Sequence, residues 1–81
     1  MGDEAVTGVD GFPARLRAAR EAAGQSQRDV ASAVGVAQPQ VVAYEHGTKR
    51  PTFDTAERLA AFLGVRAGWL VFGEEPRERP R

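Results

Sequence analysis

The chain has 81 residues, no cysteine, and 11 acidic against 11 basic side chains. A chain of that length makes one small domain, and without thiols it has neither a disulfide nor a thiolate-bound metal to hold it, so packing must supply its stability. No stretch approaches the roughly 18 consecutive apolar residues of a membrane span, and "MGDEAVTGVDG" lacks the basic head and apolar run of a signal peptide, so a soluble, cytoplasmic protein is expected.

Residues 1–10 carry Asp3, Glu4 and Asp10 without a base and show no helical spacing, which predicts a disordered tail. The first helical run, "PARLRAAREAAG", opens on Pro13, whose missing N–H is harmless in a first turn, and stops at Gly24, suited to the left-handed position after a helix. Leu16, Ala19 and Ala23 recur at helical spacing and predict its buried stripe. In "SQRDVASAVG", Ser26 is the N-cap with Asp29 three residues on, a variant of the capping box; Val30, Ala31 and Val34 face inward and Gly35 closes the run. Only Gly35, Val36 and Ala37 separate Val34 from Gln38, so the second and third helices must meet at a steep angle with Val36 in the corner. That is helix-turn-helix geometry.

The third run, "QPQVVAYEHG", closes at Gly47, and after the loop "TKRPT" Thr52 can cap the fourth, "FDTAERLAAFLG". Beyond Gly64 a short fifth run, "RAGWLVFG", holds the only tryptophan; on a helix Trp69, Leu70 and Phe72 can share one face while Val71 points the other way. Residues 74–81, "EEPRERPR", have six charges, two prolines and nothing to bury, and read as a second disordered tail. Residues 11–73 then form one all-α domain, a compact five-helix bundle with no strand signal. The zero net charge conceals an uneven distribution: within 11–73, eight Lys and Arg stand against five Asp and Glu.

The run "SQRDVASAVGVAQPQVVAYEHGTKRPTFDTAERLAAFLGV" resembles the helix-turn-helix of the Cro and phage-repressor (Xre) family. That pattern is a polar cap, Gln, an apolar-Ala pair, Gly-Val, a second Gln, an apolar residue, an aromatic, Glu-x-Gly and a later Pro. Here those positions are Ser26, Gln27, Val30 with Ala31, Gly35 with Val36, Gln38, Val41, Tyr44, Glu45, Gly47 and Pro51, and the likeness runs from about residue 15 to 74. The resemblance implies a lambda-repressor-like fold whose third helix enters the major groove of double-stranded DNA, in a sequence-specific transcriptional regulator, more often a repressor. It also implies a salt bridge between Arg20 and Glu45 that ties the first and third helices together.

With that orientation, a third helix packed through Val41, Tyr44 and Glu45 turns Pro39, Val42, Ala43 and His46 outward and leaves Gln38 at its start. The Gln38 amide can pair with adenine N6 and N7, and the Val42 and Ala43 methyls suit thymine. Pro39 also pushes Gln38 toward an extended backbone, so Gln38 is either a base reader or the N-cap, and Val42 and Ala43 have the plainer reading of ordinary helix surface. Gln27, Arg28, Gln40, His46, Lys49 and Arg50 suit phosphate contacts or bracing, Gln27 toward Gln38 in particular; solvated surface is their plainer alternative. One reading helix spans too few base pairs to select a genomic site, so a homodimer is expected, with Val71 as the candidate interface residue.

Catalysis fails on inventory. One histidine, no cysteine and two serines in helix positions leave no nucleophile and base, no glycine-rich phosphate loop follows a strand, and the carboxylates are scattered. No cofactor, metal or small-molecule ligand is expected. The rival reading is a protein-interaction module of the same fold, such as an antitoxin or anti-repressor partner.

Overall fold

A computed structural model describes residues 11–80; the tail expected over 1–10 and Arg81 lie outside the described residues. Five helices follow one another: α1 Phe12–Ala22, α2 Gln27–Val34, α3 Gln38–His46, α4 Phe53–Leu63 and α5 Ala67–Phe72. The starts of α2 and α4 follow from local hydrogen bonding. Ser26 Oγ accepts from the Asp29 N–H at 2.9 Å while Asp29 Oδ2 accepts from the Ser26 N–H at 3.1 Å, a reciprocal cap that satisfies two otherwise orphaned donors of α2. Thr52 Oγ1 does the same service for α4 by accepting from the Thr55 N–H.

α3 starts differently. Its N-cap is Ala37, which offers no side-chain acceptor, and Gln38 is the first helical residue, so Gln38 does not cap the helix. Pro39 is tolerated directly after it because that N–H would have had no partner within the helix. Between α2 and α3, Gly35 takes φ +80°, a left-handed conformation that side chains other than glycine adopt at a cost, and Val36 packs half-buried against the core.

Leu16, Val30, Val41, Leu59 and Leu70, one from each helix, are wholly inaccessible, and Phe12, Val34, Tyr44, Leu63, Val65 and Trp69 surround them. Two arginines fasten helix ends from neighbouring helices. Arg58 on α4 donates from Nε to the Val34 carbonyl at the end of α2 (3.2 Å), and Arg15 on α1 donates from Nε and Nη2 to the Leu70 and Val71 carbonyls at the end of α5, both at 3.0 Å. Each puts a positive charge where helix carbonyls lack partners.

Two inward assignments differ from the spacing argument. Ala23 is exposed because α1 ends at Ala22 and leaves it as the C-cap, and Phe12 completes the α1 stripe because the helix begins one residue before Pro13. Phe72 stands 68% exposed, while Val71 is half-buried, since a six-residue helix docked through Trp69 and Leu70 has no room for a third large side chain beneath it. Contacts also continue past Gly73. The Arg66 N–H donates to the Arg77 carbonyl (2.8 Å), Val65 and Glu78 form an antiparallel bridge, and the Arg77 guanidinium lies 4.8 Å from the centroid of Trp69. Among the described residues no helix is long and apolar enough to cross a membrane.

Candidate nucleic-acid interface

α3 divides into an anchored face and an open one. Val41 and Tyr44 are buried, and the Glu45 side chain, 3% exposed, receives Arg20 Nε at 2.6 Å and Arg20 Nη2 at 3.1 Å. The hydrogen bond to Glu45 raises the Arg20 pKa above its ordinary value, against the opposing effect of burial. Arg20 Nη1 also donates to the Gln25 carbonyl at 3.0 Å, so one guanidinium joins α1, the α1–α2 turn and α3.

On the open side, Gln38, Pro39 and His46 are exposed and Gln40, Val42 and Ala43 are half-buried. The outward turn expected of Val42 and Ala43 is therefore partial: each leaves only part of its surface in solvent. The Gln38 side chain forms no hydrogen bond with any described residue, so its amide is available to a ligand. Arg28, in the first turn of α2, and Lys49 and Arg50, in the loop after α3, are all exposed cations. The loop that carries the last two is pinned by Thr48, whose N–H (3.0 Å) and Oγ1 (3.3 Å) both donate to the Ala43 carbonyl. Thr48 is a loop anchor that spacing arguments pass over, although a hydroxyl directly after a closing glycine was a legible hint.

Gln27 is not where bracing of Gln38 would put it. Its Nε2 donates to Glu45 Oε1 at 3.1 Å instead, and Arg17, Arg20, Ser26, Gln27, Glu45 and His46 line one concavity of about 320 Å³. Val71 lies apart from these residues. It lines a cleft of about 210 Å³ with Phe12, Arg50, Pro51, Phe53 and Ala56, and Phe53 there is 61% exposed. Arg50 thus borders both the loop after α3 and this apolar cleft. Among the described residues no cluster of His, Asp or Glu side chains is placed to hold a metal ion.

Two short helices packed across a three-residue turn, the second with one face anchored and the other open, define a helix-turn-helix domain. The chain belongs to the family described as Helix-turn-helix, which it matches over residues 16–70. It is 38% identical over 64 residues to the cryptic phage CTXphi transcriptional repressor RstR of Vibrio cholerae; that match covers 79% of this chain and 58% of the relative, so the chain spans little more than half of that protein's length. Among solved structures, the P22 c2 repressor protein in complex with synthetic operator 9T is similar at TM-score 0.75 and 22% identity, over 79% of this chain and 97% of that one. The N-terminal DNA binding domain of SinR from Bacillus subtilis is similar at TM-score 0.70 and 25% identity, over 79% of this chain and 91% of that one.

Proposed function

We propose that this chain binds double-stranded DNA sequence-specifically with α3 in the major groove, and that it acts in the cytoplasm as a transcriptional repressor in the form of a homodimer. The observation that carries the reading is the open face of α3, where Gln38 has a free amide beside the exposed Pro39, and half-buried Val42 and Ala43 still present methyl surface. An α-helix fits the major groove, a free amide pairs with adenine there, and methyls contact thymine. Arg28, Lys49 and Arg50, with Gln40 and His46, are assigned to phosphates and fix register without reading sequence. The description of RstR as a transcriptional repressor and the operator held by the P22 c2 repressor support the same reading. No cofactor or metal takes part.

For the homodimer, the support is the cleft beside Val71. Phe53 is largely exposed at its rim, and a second copy related by two-fold symmetry would cover that apolar surface. The exposed Phe53 and Phe72, with the zero net charge, also favour a second reading as a protein-interaction module.

A fluorescence-anisotropy titration with duplex DNA at two salt concentrations separates the readings. DNA binding should weaken steeply as salt rises, because counterions are released from the phosphates, with a slope of about 0.9 per neutralised phosphate. Absence of salt-dependent binding would refute the DNA reading and leave the interaction module.

A further inference from the structure

The fold seats the start of α1 beside a basic loop. A Cβ on Gly47, the residue that closes α3, would stand 3.4 Å from Pro13 Cγ in the first turn of α1, and Phe12 and Arg50 line the same cleft. The loop after α3 holds Lys49 and Arg50 side by side. Both are exposed, and neither forms an ion pair or a side-chain hydrogen bond with a described residue. The sequence leading into α1 has the opposite charge: residues 1–10 hold Asp3, Glu4 and Asp10 and no Lys or Arg. Asp10 precedes Phe12 by two residues, so covalent geometry alone keeps its Cα within about 8 Å of the Phe12 Cα. Ten residues span at most about 35 Å, more than twice the length of the nine-residue α3 at about 1.5 Å per residue, so Asp3 and Glu4 can reach the loop as well.

We propose that residues 1–10 are an intramolecular competitor of DNA: their carboxylates pair with Lys49 and Arg50, and a duplex must displace them to gain its phosphate contacts. The proposal rests on the assignment of Lys49 and Arg50 to phosphates. A carboxylate and a phosphate present the same kind of oxygen to an ammonium or a guanidinium, so one excludes the other. Each exposed ion pair is weak. Three carboxylates on so short a tether act at an effective concentration on the order of millimolar, which offsets that weakness. The competition falls on cations that hold the DNA backbone and leaves the reading face of α3 untouched, so every sequence is weakened by the same factor. Non-specific binding, carried almost entirely by phosphate contacts, then becomes negligible first, while a selected site keeps its base contacts.

The test compares the full wild-type chain with one carrying Asp3→Asn, Glu4→Gln and Asp10→Asn together. In the free protein at low salt, the backbone amide NMR signals of Lys49 and Arg50 should differ between the two chains while those of Ala31 and Phe62 coincide. The difference should vanish near about 1 M salt, where charges are screened over about 3 Å. On DNA at low salt, the neutralised chain should bind a selected site and random duplex each about fivefold more tightly, the upper range for one exposed ion pair, and the gain should shrink as salt rises. Adding Lys49→Ala and Arg50→Ala to both chains should abolish the gain. An equal gain without those cations would show that the acidic residues merely repel the duplex at a distance, and would overturn the proposal. Unmoved Lys49 and Arg50 signals, or movement confined to Arg15, would overturn it whether or not the chain binds DNA, and so would DNA binding with no gain. Moved signals in a chain that binds no DNA would refute the DNA reading alone and support the pairing.

Discussion

The Arg20–Glu45 pair and the Arg17–Glu21 pair use the same chemistry with different consequences, and exposure decides which one matters. Arg17 and Glu21 are 66% and 58% exposed at 3.3 Å, four residues apart on α1, so water screens them and their contribution is about 0.3–0.5 kcal/mol. Arg20 and Glu45 are 14% and 3% exposed, and removing one charge there strands the other in a largely dry contact. Glu45→Gln should therefore lower stability by about 3 kcal/mol, seen as a fall in melting temperature of well over about 10 °C for a domain this small. A mutant that melts with the wild type would show the pair to be unimportant to folding. Asp29 offers a pH-dependent counterpart. The Ser26 N–H, and then the Ser26 hydroxyl, hold its pKa below the ordinary 3.8, so the carboxylate stabilises the folded state at pH values above 3.8 and loses that contribution as pH falls through its depressed folded value. Asp29→Asn should melt below wild type near neutrality, and the difference should shrink as the solution is acidified through that range; a constant difference would contradict the cap as its source.

At the scale of helices, capping and turn chemistry was legible and side-chain reach was not. Ser26 with Asp29, Thr52 and Gly35 mark boundaries through hydrogen bonds and backbone angles confined to a few residues, so the sequence displays them directly. The anchored face of α3 was legible only through the family resemblance, which set Val41, Tyr44 and Glu45 inward; the structure buries Val41 and Tyr44 and pairs Glu45 with Arg20. The partner of Gln27 was hidden, since the bond joins residues 18 apart and depends on how two helices cross. The same holds for α5. Periodicity over six residues cannot tell Val71 from Phe72, and what decides between them is how α5 docks through Trp69 and Leu70. Composition alone also leaves residues 74–80 without a partner, whereas Arg77 stacks on Trp69 and its carbonyl accepts from Arg66. Arg77→Ala should cost about 0.5–1 kcal/mol, measured as a lowered melting temperature with unchanged helix content. No change in melting would mean that the segment does not support α5.

For the whole molecule, the proposed homodimer and the charge distribution set how DNA would be engaged. The Val71 cleft and the Arg50 loop are contiguous, so a copy seated on the cleft would lie next to the loop proposed to meet phosphates and bring a second α3 toward the same duplex. Val71→Asp should give a folded monomer by sedimentation that binds a single half-site weakly; an unchanged dimer would exclude this surface, and an unchanged monomer in the wild type would exclude the homodimer. The excess of three positive charges in 11–73, offset by the acidic first ten residues, supplies local attraction to phosphate despite a formal net charge of zero. The central claim is that α3 reads base sequence while the flanking cations only hold the backbone. It is tested most directly by comparing Gln38→Ala and Arg50→Ala on a site selected from random duplex DNA and on variants of that site. Gln38→Ala should relax preference at one base position, at a cost of about 1–3 kcal/mol there, whereas Arg50→Ala should weaken all sequences alike and lower the salt slope by about one unit. Equal weakening of every sequence by Gln38→Ala would contradict the account.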